Sequence, residues 1–132
     1  MTLALDIKRL SLNGRELLRD LAIQVPPGVV HTVMGASGSG KSSLLAAVCG
    51  TLAPAFDFDG RVTLNGRRVE GLPTEQRRVG ILFQDDLLFA HMTVRENLLF
   101  AVPPGPRAAR EAAVAQALAD LELPGFADAD PA

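Results

Sequence analysis

Apolar and polar positions alternate at the start of the chain. Leu3, Leu5 and Ile7 are separated by Ala4, Asp6 and Lys8, the period-2 signature of a half-buried strand. Asn13-Gly14 follows, a pair suited to a tight hairpin turn, and Leu21, Ile23 and Val25 alternate again, so the chain is expected to open as antiparallel sheet. Pro26-Pro27-Gly28 then forces a turn into Val29-Val30-His31-Thr32-Val33-Met34. Apolar except at His31 and Thr32, that run reads as a strand buried on both faces, with His31 as a core residue bonded to a neighbour.

Lys41 to Cys49 has helix-forming composition, and Gly50 stands where a C-terminal cap is expected. Thr51 to Gly60 reads as loop, with Asp57 and Asp59 as turn-formers. A second hairpin pairs Arg61 to Leu64 with Arg67 to Val69 around Asn65-Gly66. Pro73 and Thr74 start a short helical turn, and Val79-Gly80-Ile81-Leu82-Phe83 returns to strand character, with Gln84 at its end. Thr93-Val94-Arg95-Glu96 is a capping-box pattern opening a helix from Val94 to about Ala101. Pro103-Pro104-Gly105-Pro106 ends it, and Arg107 to Glu122 is an Ala-rich helix with Val114, Leu118 and Leu121 on one face. The tail Phe126 to Ala132 is acidic and structureless by pattern.

Charge and composition narrow the chemistry. Thirteen basic against fifteen acidic residues leave a net charge of -2, so no global positive field exists to hold a nucleic-acid backbone or anionic lipid, and any anion site must be local. The pairs Arg67-Arg68 and Arg77-Arg78 read as solvated faces. The single cysteine, Cys49, follows the apolar run Leu44 to Val48 and is expected in the core. No stretch approaches the roughly 18 apolar residues of a membrane span, and Met1 to Leu10 carries Asp6, Lys8 and Arg9 where a signal peptide needs an unbroken apolar run. A soluble, cytoplasmic protein is expected, meeting a membrane only through a partner. His91 is expected at the surface, and neither histidine has metal-ligand spacing.

Gly35-Ala36-Ser37-Gly38-Ser39-Gly40-Lys41-Ser42 matches the phosphate-loop pattern in full and lies between an expected strand and an expected helix. A loop that curls around a triphosphate must turn consecutive N–H groups inward, which calls for positive φ at Gly35, Gly38 or Gly40. The helix start adds free amides and the positive end of its dipole. Lys41 brings an ammonium to the β- and γ-phosphates, the Ser42 hydroxyl is the expected protein ligand to Mg²⁺, and Ser43 adds a further phosphate contact.

Gly80-Ile81-Leu82-Phe83-Gln84-Asp85-Asp86 looks superficially like a strand ending in an acidic metal ligand, but Gln84 holds the first position after the strand. A neutral amide does not replace a carboxylate there. It orients water, touches the metal shell and moves when the γ-phosphate changes, which makes Gln84 a switch residue and a peripheral metal contact.

With these stretches in place, the chain resembles the nucleotide-binding subunits of ATP-binding cassette (ABC) transporters. The resemblance covers Leu3 to about Pro131 and rests on the phosphate loop with Ser43-Leu44-Leu45, on Gly60-Arg61-Val62 with Leu64-Asn65-Gly66, on Val79 to Gln84, and on Leu87-Leu88-Phe89 with Met92-Thr93-Val94-Arg95-Glu96-Asn97. It is closest to bacterial uptake systems for small molecules or ions. The resemblance implies an α/β fold: a P-loop NTPase core with an N-terminal antiparallel β subdomain over residues 1–90 and the beginning of a helical subdomain over 91–132. It implies ATP and Mg²⁺ as ligands, catalytic roles for Lys41 and Gln84, and a permease partner contacted around Phe89 to Thr93. It also implies a homodimer or heterodimer of ATPase subunits, peripheral to the inner (plasma) membrane.

Two departures stand out. Leu12 falls where the family often places an adenine-stacking aromatic residue, and the chain has no Tyr or Trp. The chain also stops before the family's Leu-Ser-Gly-Gly-Gln signature, so it is expected to be a truncated protein or a fragment that binds ATP without hydrolysing it. A small P-loop metabolite kinase and a non-catalytic nucleotide-binding module remain open as alternatives.

Overall fold

In the computed structural model, which describes residues 1–85 and 87–131, both Asn-Gly pairs turn the chain as the sequence requires. Asn13 and Gly14 adopt φ of 49° and 77°, Asn65 and Gly66 φ of 49° and 79°, the left-handed pair that matches the twist of a two-residue hairpin. The chain forms two units, Met1–Leu82 and Phe83–Ala132.

In the first unit the hairpins build a four-stranded antiparallel sheet in the order β2-β1-β3-β4, from β1 (Leu3–Leu12), β2 (Arg15–Val25), β3 (Phe56–Leu64) and β4 (Arg67–Arg68). Leu5 and Ile7 point into the core, as their alternation demands; Lys8 and Arg9 both stay exposed, and Leu10 is buried again. The break in phase is a bulge, seen as a register shift against β3 between Ile7 and Arg9. Gly60 lies opposite it. A Cβ there would stand 2.7 Å from the Asp6 carbonyl oxygen and 2.9 Å from the Ile7 Cα, so only glycine fits.

Helix α1 (Lys41–Cys49) packs Leu44 and Val48 against Leu5, Ile7, Leu10, Val62, Leu64 and Val69. Full burial of an aliphatic side chain of this size contributes roughly 1.5–3 kcal/mol. The helix ends at Gly50, left-handed at φ 84°, whose N–H donates to the Ala46 carbonyl at 2.8 Å. Cys49 is buried, as expected, and burial pushes its thiol pKa up, partly offset by Arg77.

Several expectations are corrected here. Strand β3 begins at Phe56, so Asp57 and Asp59 are not turn-formers; they alternate with Phe56 and Phe58 on the solvent side of a strand. Arg77, at the end of the short helix α2 (Thr74–Arg77), is not solvated but buried. Its guanidinium donates to the carbonyls of Ala47 at 2.7 Å, Val48 at 3.1 Å, Leu72 at 2.8 Å and Glu70 at 2.7 Å. The last carbonyls of α1 have no partner within the helix, and a planar fork of five donors satisfies them at the negative end of the helix dipole.

The two apolar runs at Val29–Met34 and Val79–Phe83 are not strands. Val30 is 91%, Met34 87% and Leu82 98% exposed, and His31 is exposed rather than in the core. A strand exists only by pairing, and one apolar on both faces also needs cover on both; among the described residues no segment pairs with either run.

In the second unit α3 (Val94–Ala101) and α4 (Arg107–Asp120) occupy the expected positions. Val114 and Leu118 of α4 are buried, but Leu121 lies just past the helix and is exposed. The tail is not structureless: its carbonyls at Ala127 and Ala129 accept the N–H groups of Arg95 at 2.8 Å and Val94 at 3.1 Å, and Asp128 pairs with Arg95 at 2.9 Å. The free amides at the start of α3 draw the tail into place. Asp86 and Ala132 lie outside the described residues.

Candidate functional site: the phosphate loop

The loop Gly35–Gly40 reverses the chain ahead of α1 through two left-handed glycines, Gly38 at φ 76° and Gly40 at φ 90°. The third glycine serves by its size: a Cβ on Gly35 would sit 2.9 Å from the Ser39 hydroxyl oxygen. At Gly40 a Cβ would meet the Leu17 Cβ at 3.3 Å and the Leu18 Cγ at 3.5 Å, so the loop rests on β2 at this point. A cavity of about 280 Å³ beside the loop is lined by apolar side chains of β2 together with Val33, Met34, Gly35 and Lys41.

Helix α1 begins without a side-chain cap and without an acidic residue in its first turn, because glycine at the N-cap position brings no acceptor. The Leu44 N–H closes the first turn on the Gly40 carbonyl at 2.8 Å. Among the described residues no acceptor is bonded to the N–H groups of Lys41, Ser42 and Ser43. Lys41 folds back over the loop, donating to the carbonyls of Gly35 at 2.8 Å and Ala36 at 2.7 Å. Ala36 and Ser37 are exposed, and so is Ser42 with its hydroxyl.

Three unclaimed amides, a helix dipole, a hydroxyl and an ammonium meet here, the kinds of group that hold a polyanion, with Gly35 and Gly40 leaving out a Cβ where the loop is tightest. The nine residues Gly35, Ala36, Ser37, Gly38, Ser39, Gly40, Lys41, Ser42 and Ser43 form one continuous feature of the first unit. Gln84 belongs to the second unit and is exposed there in a bend.

The segment singled out for a permease, Phe89 to Thr93, leads into α3. Thr93 and Glu96 make the expected capping box: the Thr93 oxygen accepts the Glu96 N–H at 3.3 Å, and the Glu96 carboxylate accepts the Thr93 N–H at 2.7 Å. Those bonds from the Thr93 backbone and hydroxyl hold the Glu96 carboxyl below its ordinary pKa. Sequence reasoning assigned no role to Asn97, whose side chain ties this segment to the helix. Nor did it find Arg77, because an Arg-Arg pair at an expected helical turn reads as a solvated face and carries no sign of burial.

A glycine-lined loop thus feeds an uncapped helix beside an antiparallel sheet. The sequence profile of the ABC transporter family matches residues 18–131, and the chain belongs to that family. It is 44% identical over 131 residues to the uncharacterized ABC transporter ATP-binding protein YnjD of Escherichia coli, covering 97% of this chain and 60% of that protein. It is 42% identical to the Fe(3+) ions import ATP-binding protein FbpC of Streptomyces coelicolor, covering 95% of this chain and 36% of the relative. To the thiamine import ATP-binding protein ThiQ of Cereibacter sphaeroides it is 45% identical over 101 residues, 75% of this chain and 42% of that protein. The chain thus spans at most 60% of the length of these relatives. Family membership implies the P-loop NTPase fold and an ATP site. Among the described residues no helix is long and apolar enough to cross a membrane.

Proposed function

We propose that this chain binds MgATP through Gly35 to Ser43, and that the whole protein couples ATP hydrolysis to the uptake of a small molecule or ion through a membrane permease. The observation that carries the ATP site is the start of α1, where Lys41, Ser42 and Ser43 keep their N–H groups free under two left-handed glycines. Lys41 exchanges its carbonyl partners at Gly35 and Ala36 for β- and γ-phosphate oxygens, while the amides take the remaining phosphate charge. The exposed Ser42 hydroxyl would hold Mg²⁺, a hard ion that suits an oxygen ligand and would offset phosphate charge when bound. Gln84 is assigned the switch role toward the γ-phosphate. In-line attack by water also needs a positioned base, and we assign hydrolysis to the whole protein.

The import reading is supported by the relatives FbpC and ThiQ, which are import ATP-binding proteins. The permease contact is assigned to Phe89–Thr93, and dimerisation of ATPase subunits and a place at the cytoplasmic face of the membrane follow from the same reading. Titration with a fluorescent ATP analogue tests the site. The chain binds it, and Lys41→Ala weakens binding by about 10- to 100-fold, the worth of a charge-assisted hydrogen bond of roughly 1.5–3 kcal/mol. Equal affinity of both proteins contradicts the assignment.

A further inference from the structure

Asn97 lies in the first half of α3, yet its carboxamide is bonded to the loop before the helix. Its Oδ1 accepts the Phe89 N–H at 2.9 Å, and its Nδ2 donates to the carbonyls of Phe89 at 3.2 Å, Met92 at 3.1 Å and Thr93 at 3.0 Å. One side chain therefore grips both ends of the stretch, which is itself turned by the Met92 N–H on the Phe89 carbonyl at 3.0 Å. The shape so fixed sets the Phe89 ring edge-on to Phe100, centroids 4.9 Å apart at 65°, with His91 at 6.0 Å. Phe89 stays 41% and Phe100 69% exposed, so the clasp does not bury the rings; it presents them.

We propose that Asn97 is the positioning residue that holds loop 89–93 in the form that engages the permease. This rests on the reading of that loop as the permease contact. An amide is required because the loop offers one N–H and three carbonyls to a single side chain: aspartate accepts but sets a carboxylate against the carbonyls, and alanine does neither.

Two measurements test it. In the 132-residue chain, Asn97→Ala speeds amide exchange of Phe89 by about tenfold, while the Val102 N–H, bonded to the Leu98 carbonyl, exchanges as before. Asn97→Asp keeps the acceptor and hence the Phe89 protection. In the whole protein, reconstituted in phospholipid vesicles with the permease subunits that assemble with it, both variants lower kcat of permease-stimulated ATP hydrolysis while KM for ATP and binding of the fluorescent analogue stay unchanged. An unchanged Phe89 exchange rate in Asn97→Ala overturns the clasp, and wild-type stimulation in both variants overturns the positioning role. Phe89→Ala separates the underlying reading: if it too leaves stimulation intact, the loop is not the permease contact; if it abolishes stimulation while the Asn97 variants do not, the reading stands and only Asn97 is wrong.

Discussion

Helices α1 and α3 start in opposite ways. At α3 the chain satisfies its own amides: Thr93 takes the Glu96 N–H, the tail carbonyls take those of Val94 and Arg95, and Glu96 places a negative charge at the positive end of the dipole. At α1 it leaves them open, with glycine at the cap, no acid in the first turn, and a lysine parked on nearby carbonyls. A helix start saturated from within is closed to outside anions. One that leaves its amides unclaimed, and keeps a cation within reach, has free energy in reserve for a ligand.

Making α1 resemble α3 is the sharpest way to break that contrast, and it carries the largest expected effect. In Gly40→Asp a carboxylate competes for the open amides and repels phosphate, and the left-handed φ of 90° adds strain. Binding of the fluorescent ATP analogue falls by about 100-fold or more, equivalent to roughly 3 kcal/mol. The reverse change is smaller: Thr93→Ala removes the α3 cap, costs about 1 kcal/mol in urea unfolding and leaves nucleotide affinity unchanged. Smallest is the effect of acid. Because the folded Glu96 carboxyl lies below its ordinary value of 4.5, its contribution is complete above that value and is lost as pH falls through the folded pKa. The helicity of α3, followed by the Val102 amide, weakens in that window, and Glu96→Gln removes the dependence.

Local signals in the sequence were faithful. Asn-Gly pairs, the Gly50 cap, the Thr93–Glu96 box and the glycine pattern of the phosphate loop each act over a few residues, and each appears where its residues place it. The first half of β3 reads as loop in the sequence because Asp57, Asp59 and Gly60 carry turn chemistry, yet Phe56-Asp57-Phe58-Asp59 alternates as a strand does and the β1 bulge accounts for the glycine. What could not be read was long-range. Val29–Met34 has a buried strand's composition, but pairing depends on neighbours that composition does not supply. Arg77 and Asn97 act through bonds to main-chain carbonyls that no residue pattern marks.

The contrast between the two helix starts is tested most directly by backbone amide NMR of the chain titrated with MgATP and, separately, with adenosine. The triphosphate shifts the amide resonances of Gly38 to Ser43 at low concentration, those of Val94 to Glu96 stay in place, and adenosine alone moves neither. Equal shifts at the two helix starts, or none at the first, contradict the account.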